Sequence, residues 1–260
     1  MQPLILIDLS VHAFNLTNMC ANVPKDKLTI WACANWVLRF ARPLQLDYYI
    51  EGSPLVVMDH KMNGAYWRTL EFSEYKGTRS PKTDEFKVIL EEAYKLVKVW
   101  SCPFMEADDL IAEAARIQRR GDLNRHIYIS SVDHDLLQLV SPNCTFVSTG
   151  PWAPRVKDEP TALAYVYSKH KVHLKSMQEF AKIKAVYGDK GDNLPKNCGL
   201  SLVDLIEPPC TYGQHSIYDW PELEAYTTTL QTQEGNPFIE RAPKAARWCL
   251  QNGLPLASFH

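Results

Sequence analysis

Leu4-Ile5-Leu6-Ile7-Asp8-Leu9-Ser10 is an apolar run broken by a single carboxylate. Such a run reads as a buried strand whose C-terminal end presents Asp8. The pattern returns further along the chain. Residues 55–58 form a second strand candidate, followed directly by Asp59. Residues 126–130 form a third, followed by Val132-Asp133-His134-Asp135 and a short helix to Val140, and residues 145–148 form a fourth. Helical spacing fills the intervals. Within residues 26–42, Ile30, Cys33, Ala34, Val37, Leu38 and Ala41 share one face, and Pro43 stops the helix. Residues 81–100 place Phe86, Ile89, Leu90, Ala93, Leu96, Val97 and Trp100 on another face. Residues 106–119 form a helix opened by Glu106, Asp108 and Asp109, with Gly121 at its C-cap. Strands alternating with helices specify an α/β fold, with a mostly parallel central sheet flanked by helices.

Two stretches fall outside that alternation. Residues 60–79 mix Tyr66, Trp67, Arg68, Tyr75, Lys76 and Arg79 with Gly64 and Gly77, which reads as an exposed, mobile segment. Beyond residue 148, helices are expected at 160–169 and 176–187, then a polar loop at 188–195. The last 65 or so residues are proline-punctuated, with helices expected near 221–230 and 244–252. No internal repeat or low-complexity tract occurs.

Composition narrows the class. The 260 residues are 46% hydrophobic and 22% charged, as in an ordinary globular chain with a substantial core. No apolar run approaches the roughly 20 residues that span a bilayer. MQPLILIDLS lacks a basic n-region, so a cytoplasmic protein with no membrane partner is expected. The seven cysteines are scattered and contain no CxxC pair, which points to reduced thiols rather than a zinc site or disulfide framework. The net charge of −2 argues against a uniformly basic nucleic-acid binder.

The acidic residues carry the chemistry. Asp8, then Asp59, then Glu106 with Asp108 and Asp109, then Asp133 with Asp135 stand at strand ends or helix starts. Asp189 and Asp192 follow in the loop Gly188-Asp189-Lys190-Gly191-Asp192-Asn193. In a parallel sheet the C-terminal strand ends face one way, so these groups are expected to converge. Converged carboxylates repel unless protonated or bound to cations, and all-oxygen donors suit Mg²⁺, Mn²⁺ or Ca²⁺. Two ions are the arrangement that clamps a phosphodiester in hydrolysis. Setting these nine carboxylates aside leaves 21 acidic residues against 28 basic ones, a positive surface for phosphates once the site is neutralised. Each cluster alone also has a plainer account. First-turn acids complement a helix dipole, and Gly, Asp and Asn build turns. Their order and shared placement outweigh those accounts.

That order resembles the flap endonuclease and 5′-3′ exonuclease family, PIN-like in fold, especially its bacterial and phage members. The resemblance runs from about residue 4 to 195. It is carried by the strand ending in Asp8, Val56-Val57-Met58-Asp59, Trp67-Arg68, Glu74-Tyr75-Lys76-Gly77-Thr78-Arg79, Glu106-Ala107-Asp108-Asp109-Leu110-Ile111, the stretch from Ile129 to Val140, and the loop from Gly188 to Pro195. The resemblance implies a 5′ nuclease domain over residues 1–195, with an arch-like segment at about 60–105 over the active site, and a helical C-terminal region over 196–260. It places Asp8, Asp59, Glu106 and Asp108 around a first Mg²⁺ or Mn²⁺, with Asp109 in support. Asp133, Asp135, Asp189 and Asp192 would surround a second. Lys76 and Arg79 take the catalytic basic positions at the base of the arch. Arg68, Tyr75, Lys76 and Arg79 are the expected DNA contacts. Phe14, Tyr66, Trp67 and Tyr75 are candidates for base stacking, with core packing the stronger account of each aromatic.

Two departures matter. His134 stands where the family usually has a lysine. After Pro195 the family continues with a Gly-x-Gly-x-Lys duplex-gripping hairpin, whereas this chain reads Lys196-Asn197-Cys198-Gly199-Leu200-Ser201-Leu202-Val203. The hairpin is degenerate, and a potassium site is not expected. The implied activity is 5′-3′ exonuclease and/or flap endonuclease hydrolysis of DNA, in primer and flap removal or DNA degradation during replication. The implied partners are DNA with 5′ ends or flaps, RNA–DNA hybrids, and a polymerase or single-strand-binding protein, met by a stand-alone monomer such as a phage would encode. Two alternatives stay open, a single-strand ribonuclease of a related PIN-like fold and a non-catalytic DNA-binding protein.

Overall fold

A computed structural model of the chain describes residues 2–41, 54–121, 124–148, 155–177, 179–180, 188, 192–193 and 238–256. Its centre is a six-stranded sheet in the order β3-β2-β1-β4-β5-β6. The strands are β1 (Leu4–Asp8), β2 (Pro54–Val57), β3 (Val99–Trp100), β4 (Ile127–Ser130), β5 (Cys144–Val147) and β6 (Arg155–Val156). The first five run parallel, and β6 joins β5 antiparallel. The mostly parallel α/β sheet expected from the sequence is therefore present. The four expected strands become six. Strands β3 and β6 span two residues each, too short to leave a periodic trace.

Alternation along the strands builds a core on each face. Leu4 and Leu6 of β1, with Leu55 and Val57 of β2, face α5 (Ala107–Gly121) and α6 (Glu159–His170). Ile5, Ile7 and Val56 face the opposite layer of α1 (Leu9–Met19), α2 (Leu28–Ala41) and α4 (Asp84–Leu96). In that layer Trp36 is fully buried and its indole donates to Ile89 O at 2.6 Å. A final helix, α7 (Ala242–Gln251), closes the same layer against α2. There Lys27 Nζ donates to Asn252 and Trp31 Nε1 to Pro255 O.

Helix boundaries follow local chemistry. Thr83 caps α4 by accepting from Phe86 N, and Asp84 and Glu85 occupy its first turn. The helix stops at Leu96, because Val97 turns extended and leads into β3. The helix expected over 81–100 is thus a helix plus a strand, since Val99 and Trp100 carry the apolar pattern into the sheet. Within the span expected as an arch, α4 and β3 belong to the α/β layers. Apart from two tyrosines, the described side chains of the 60–79 segment are exposed or half-buried, in line with its sequence. It holds α3 (Trp67–Glu71), and Tyr66 and Tyr75 are buried. The expected helices at 221–230 and most of 176–187, and the segment 196–203, lie outside the described residues. Among the described residues no helix is long and apolar enough to cross a membrane. Cys20, Cys33, Cys102, Cys144 and Cys249 are free thiols.

Candidate active site

Parallel pairing sets the ends of β3, β2, β1 and β4 along one edge. Asp8 closes β1 in register with Val57 of β2, and Ile7 pairs with Ser130 of β4. Asp59 follows β2, Glu106 lies between β3 and α5, and Asp133 follows β4. Asp8 also starts α1, where its Oδ1 accepts from Val11 N at 3.3 Å. Its Oδ2 accepts from Ser131 Oγ at 3.1 Å. Ser131 Oγ in turn accepts from Asp133 N at 3.1 Å, and Asp133 Oδ1 caps the following 3₁₀ turn through Asp135 N at 2.9 Å. Asp135 is buried. Asp59 accepts from Ala107 N at 2.8 Å, which ties the β2 end to the start of α5, and from the Tyr66 hydroxyl at 3.4 Å.

The start of α5 is the densest part. Ligand atoms of Glu106, Asp108 and Asp109 lie within 4.8 Å of one another, and all three residues are buried. Arg68 grips this group, with Nη1 on Glu106 at 2.6 Å and two contacts to Asp109 at 2.8 and 2.7 Å. Trp67 Nε1 donates to Asp109 at 3.1 Å, and the Tyr75 hydroxyl to Glu106 at 2.9 Å. Lys76 Nζ donates to Glu106 and lies 3.8 Å from Asp192. Arg79, half exposed, pairs with Asp192 at 2.8 Å. The turn is tied to Asp192 and Asn193, because Lys76 N donates to Asp192 O and Asn193 Nδ2 to Glu74 O. Lys76 itself sits at φ 54, followed by Gly77, which lies too close to Glu74 O to carry a larger side chain without adjustment.

Electrostatics follow from this crowding. Burial, then the charges of Asp59 and Asp133, push the Asp8 carboxyl up to about 8. Burial and Asp108 raise Glu106 and Asp109, although Arg68 works against the shift at both and Lys76 at Glu106. Burial would depress the Lys76 ammonium, but Glu106, Asp108 and Asp192 outweigh it and hold its proton more tightly than usual. Lys82 also feels Asp59 and Asp8, while burial lowers its proton affinity. Its Nζ rests 4.3 Å from the Phe86 ring centre.

Eight of the nine expected acidic site residues are described, and Asp189 lies outside the described residues. Lys76 contacts Glu106 and lies near Asp192, and Arg79 pairs with Asp192. Arg68 and Tyr75, expected on DNA, are turned onto Glu106, with Arg68 also on Asp109. Tyr66 and Trp67 likewise spend their polar tips on Asp59 and Asp109, and Phe14 is the exposed one of the stacking candidates. Ser131 stands within the 129–140 stretch, but nothing in the sequence assigns it a role of its own. Its place between strand β4 and Asp133 was the available signal.

A doubly covered parallel sheet, with one edge of strand ends loaded with buried carboxylates, defines an α/β acidic-site protein. The chain belongs to the 5′-3′ exonuclease family, since the model of that family's N-terminal resolvase-like domain matches residues 12–176. That span contains Asp59, Glu106, Asp108, Asp109, Asp133 and Asp135. DNA polymerase I of Pseudomonas aeruginosa is 29% identical over 199 residues, 74% of this chain and 20% of that protein. A 5′-3′ exonuclease of Aquifex aeolicus is 34% identical over 163 residues, 59% of this chain and 52% of that protein. The chain thus spans about a fifth of the length of the first relative and about half of the second. Among solved structures, the bacteriophage T5 D15 flap endonuclease, in a pseudo-enzyme-product complex with DNA and metal ions, superposes with a TM-score of 0.57 at 16% identity. The match covers 96% of this chain and 92% of that one, and it shows the shared fold.

Proposed function

We propose that this chain is a structure-specific 5′ nuclease that hydrolyses DNA phosphodiesters near 5′ ends or flaps with two divalent cations, Mg²⁺ or Mn²⁺. The observation that carries the reading is the Asp8 carboxyl. It is buried at the sheet edge beside Asp59 and Asp133, and burial first, then their charges, push it up to about 8. The oxygen-only donor set around it fits hard cations. Asp8, Asp59, Glu106 and Asp108 would hold one ion, with Asp109 braced by Arg68 and Trp67 in support. Asp133, Asp135, Asp189 and Asp192 would hold the other. When bound, such a pair supplies an activated water and stabilises the leaving oxygen.

The protein's own side chains do the rest. Lys76 and Arg79 stand at the rim, where they would bind the scissile phosphate and offset the charge that develops on it. The paired turn at 74–79 and Asp192-Asn193 fixes both. In this scheme residues 1–195 form the catalytic domain, with an arch-like segment within 60–105. Residues 196–260 would be the chain's C-terminal region, of which 238–256 are described and hold α7. Primer and flap removal or DNA degradation in replication is the proposed setting, with a polymerase or single-strand-binding protein as partner.

The test is cleavage of a flapped duplex labelled at its 5′ or its 3′ end, in Mg²⁺, in Mn²⁺ and in chelator. Metal-dependent products at the flap junction or stepwise from the 5′ end are expected. Binding without cleavage in either metal would overturn the reading.

A further inference from the structure

His12 lies on α1, one turn beyond Asp8, and is buried. Both of its ring nitrogens are engaged. Arg39, near the end of α2, directs Nη1 to Nδ1 at 3.0 Å. A guanidinium only donates, so Nδ1 accepts, and the neutral ring carries its proton on Nε2. Nε2 then donates to Ser130 Oγ at 3.0 Å. Burial first, and the Arg39 charge second, keep the imidazole neutral far below the usual histidine range. Ser130 is the last residue of β4 and is itself buried. Its neighbour Ser131 donates to Asp8 Oδ2 and accepts from Asp133 N. Hydrogen bonds thus lead from Arg39 through His12 to Ser130, whose chain neighbour Ser131 contacts the Asp8 carboxylate and the Asp133 backbone amide.

We propose that His12 is a positioning residue for the carboxylate site, pinning Ser130 so that the Ser131 hydroxyl holds Asp8 and the Asp133 turn in their ligand geometry. The inference rests on reading that site as a divalent-metal centre. Packing alone does not require this arrangement. An apolar residue would fill the same space, whereas an imidazole with a fixed tautomer delivers a directed hydrogen bond to the strand end. Partners one step behind metal ligands set the orientation of those ligands, and their loss typically weakens metal binding by about 10–100-fold.

The experiment measures Mn²⁺ binding to chelator-stripped protein by the electron paramagnetic resonance signal of free Mn²⁺, alongside thermal melting. The proteins compared are the wild type, Ser130→Ala, His12→Ala, His12→Gln and the Ser130→Ala/His12→Ala double variant. Ser130→Ala removes the acceptor while keeping the imidazole, so it reports on the relay even if His12→Ala folds poorly. A loss of Mn²⁺ affinity of about tenfold, the low end for ligand-orienting partners because Ser131 stands between, is expected in both single alanine variants. The double variant should be no weaker than the weaker single one, because the two act on one path. His12→Gln offers an acceptor to Arg39 and a donor to Ser130, and should recover most of the affinity. Wild-type affinity in folded Ser130→Ala overturns the proposal, as does a lowered melting temperature with unchanged affinity in all variants. A wild-type protein that binds no Mn²⁺ removes the metal-centre reading itself, and the relay with it.

Discussion

Asp8 and Glu106 both face the carboxylate edge of the sheet, yet opposite kinds of neighbour hold them. Asp8 accepts from a backbone amide and a serine hydroxyl, both neutral. Glu106 accepts from Arg68, Lys76 and Tyr75, two of them cationic. Each is buried and each is raised, but at Glu106 two hydrogen-bonded cations counter the shift, while at Asp8 hydrogen bonds from Val11 N and Ser131 are the main counterweight, with the Lys82 charge also felt. The difference teaches where a divalent cation changes the balance most. The α5 half of the site is largely charge-compensated by the protein, and the β1–β4 half depends on an external cation.

The largest expected effect that sharpens the contrast is on catalysis. Asp133→Asn and Asp135→Asn should each abolish metal-dependent cleavage while leaving DNA binding measurable in a gel-shift assay. Lys76→Ala comes next. Its single-turnover rate should fall by about 10²–10³, the loss typical of removing one preorganised charge-stabilising donor, with a smaller change in DNA affinity. An unchanged rate would remove Lys76 from the chemistry.

Stability in chelator should then split the two halves. Glu106→Gln weakens contacts with Arg68 and Lys76, which keep Asp109 and Asp192, and should cost about 1.5 kcal/mol in denaturant unfolding, as for a hydrogen bond to a charged group. Asp8→Asn keeps the cap on α1 and removes a repelled charge, so it should raise stability. A pH series tests the cause. A carboxyl near 8 in the folded state and near 4 unfolded stabilises fully below about pH 4, and that contribution is lost as pH rises toward 8. The advantage of Asp8→Asn over wild type should therefore grow between pH 4 and 8, and Mn²⁺ should reverse it. A constant difference across that range would break the comparison. The smallest effects come from the tyrosines. Tyr75→Phe should cost at most about 1.5 kcal/mol, as for a hydrogen bond to a charged group, and Tyr66→Phe less, since its hydroxyl lies 3.4 Å from Asp59.

Particular residues show what the sequence made legible. Asp8, Asp59 and Asp133 could be placed because each follows an apolar strand, and a parallel sheet brings such ends together. Helix α5 was legible from Ala107 onward through its acidic first turn. Strands β3 and β6 were not, because two residues carry no period, and Val99-Trp100 continued the apolar face of α4. The segment 60–79 reads as exposed because it mixes aromatic and basic residues without a period, and most of it is exposed or half-buried. Tyr66, Trp67 and Tyr75 instead turn polar tips onto the carboxylates, a pairing that only the folded chain reveals. The roles of His12 and Ser131 were likewise hidden, since each depends on contacts between α1 and the end of β4 across more than a hundred residues.

The most direct test of the central claim is a side-by-side digestion of a 5′-labelled flapped duplex in Mg²⁺ by the wild type and by Asp133→Asn at equal concentration. The account predicts 5′ cleavage products from the wild type alone, with both proteins binding the duplex. Equal cleavage by the two proteins would contradict it.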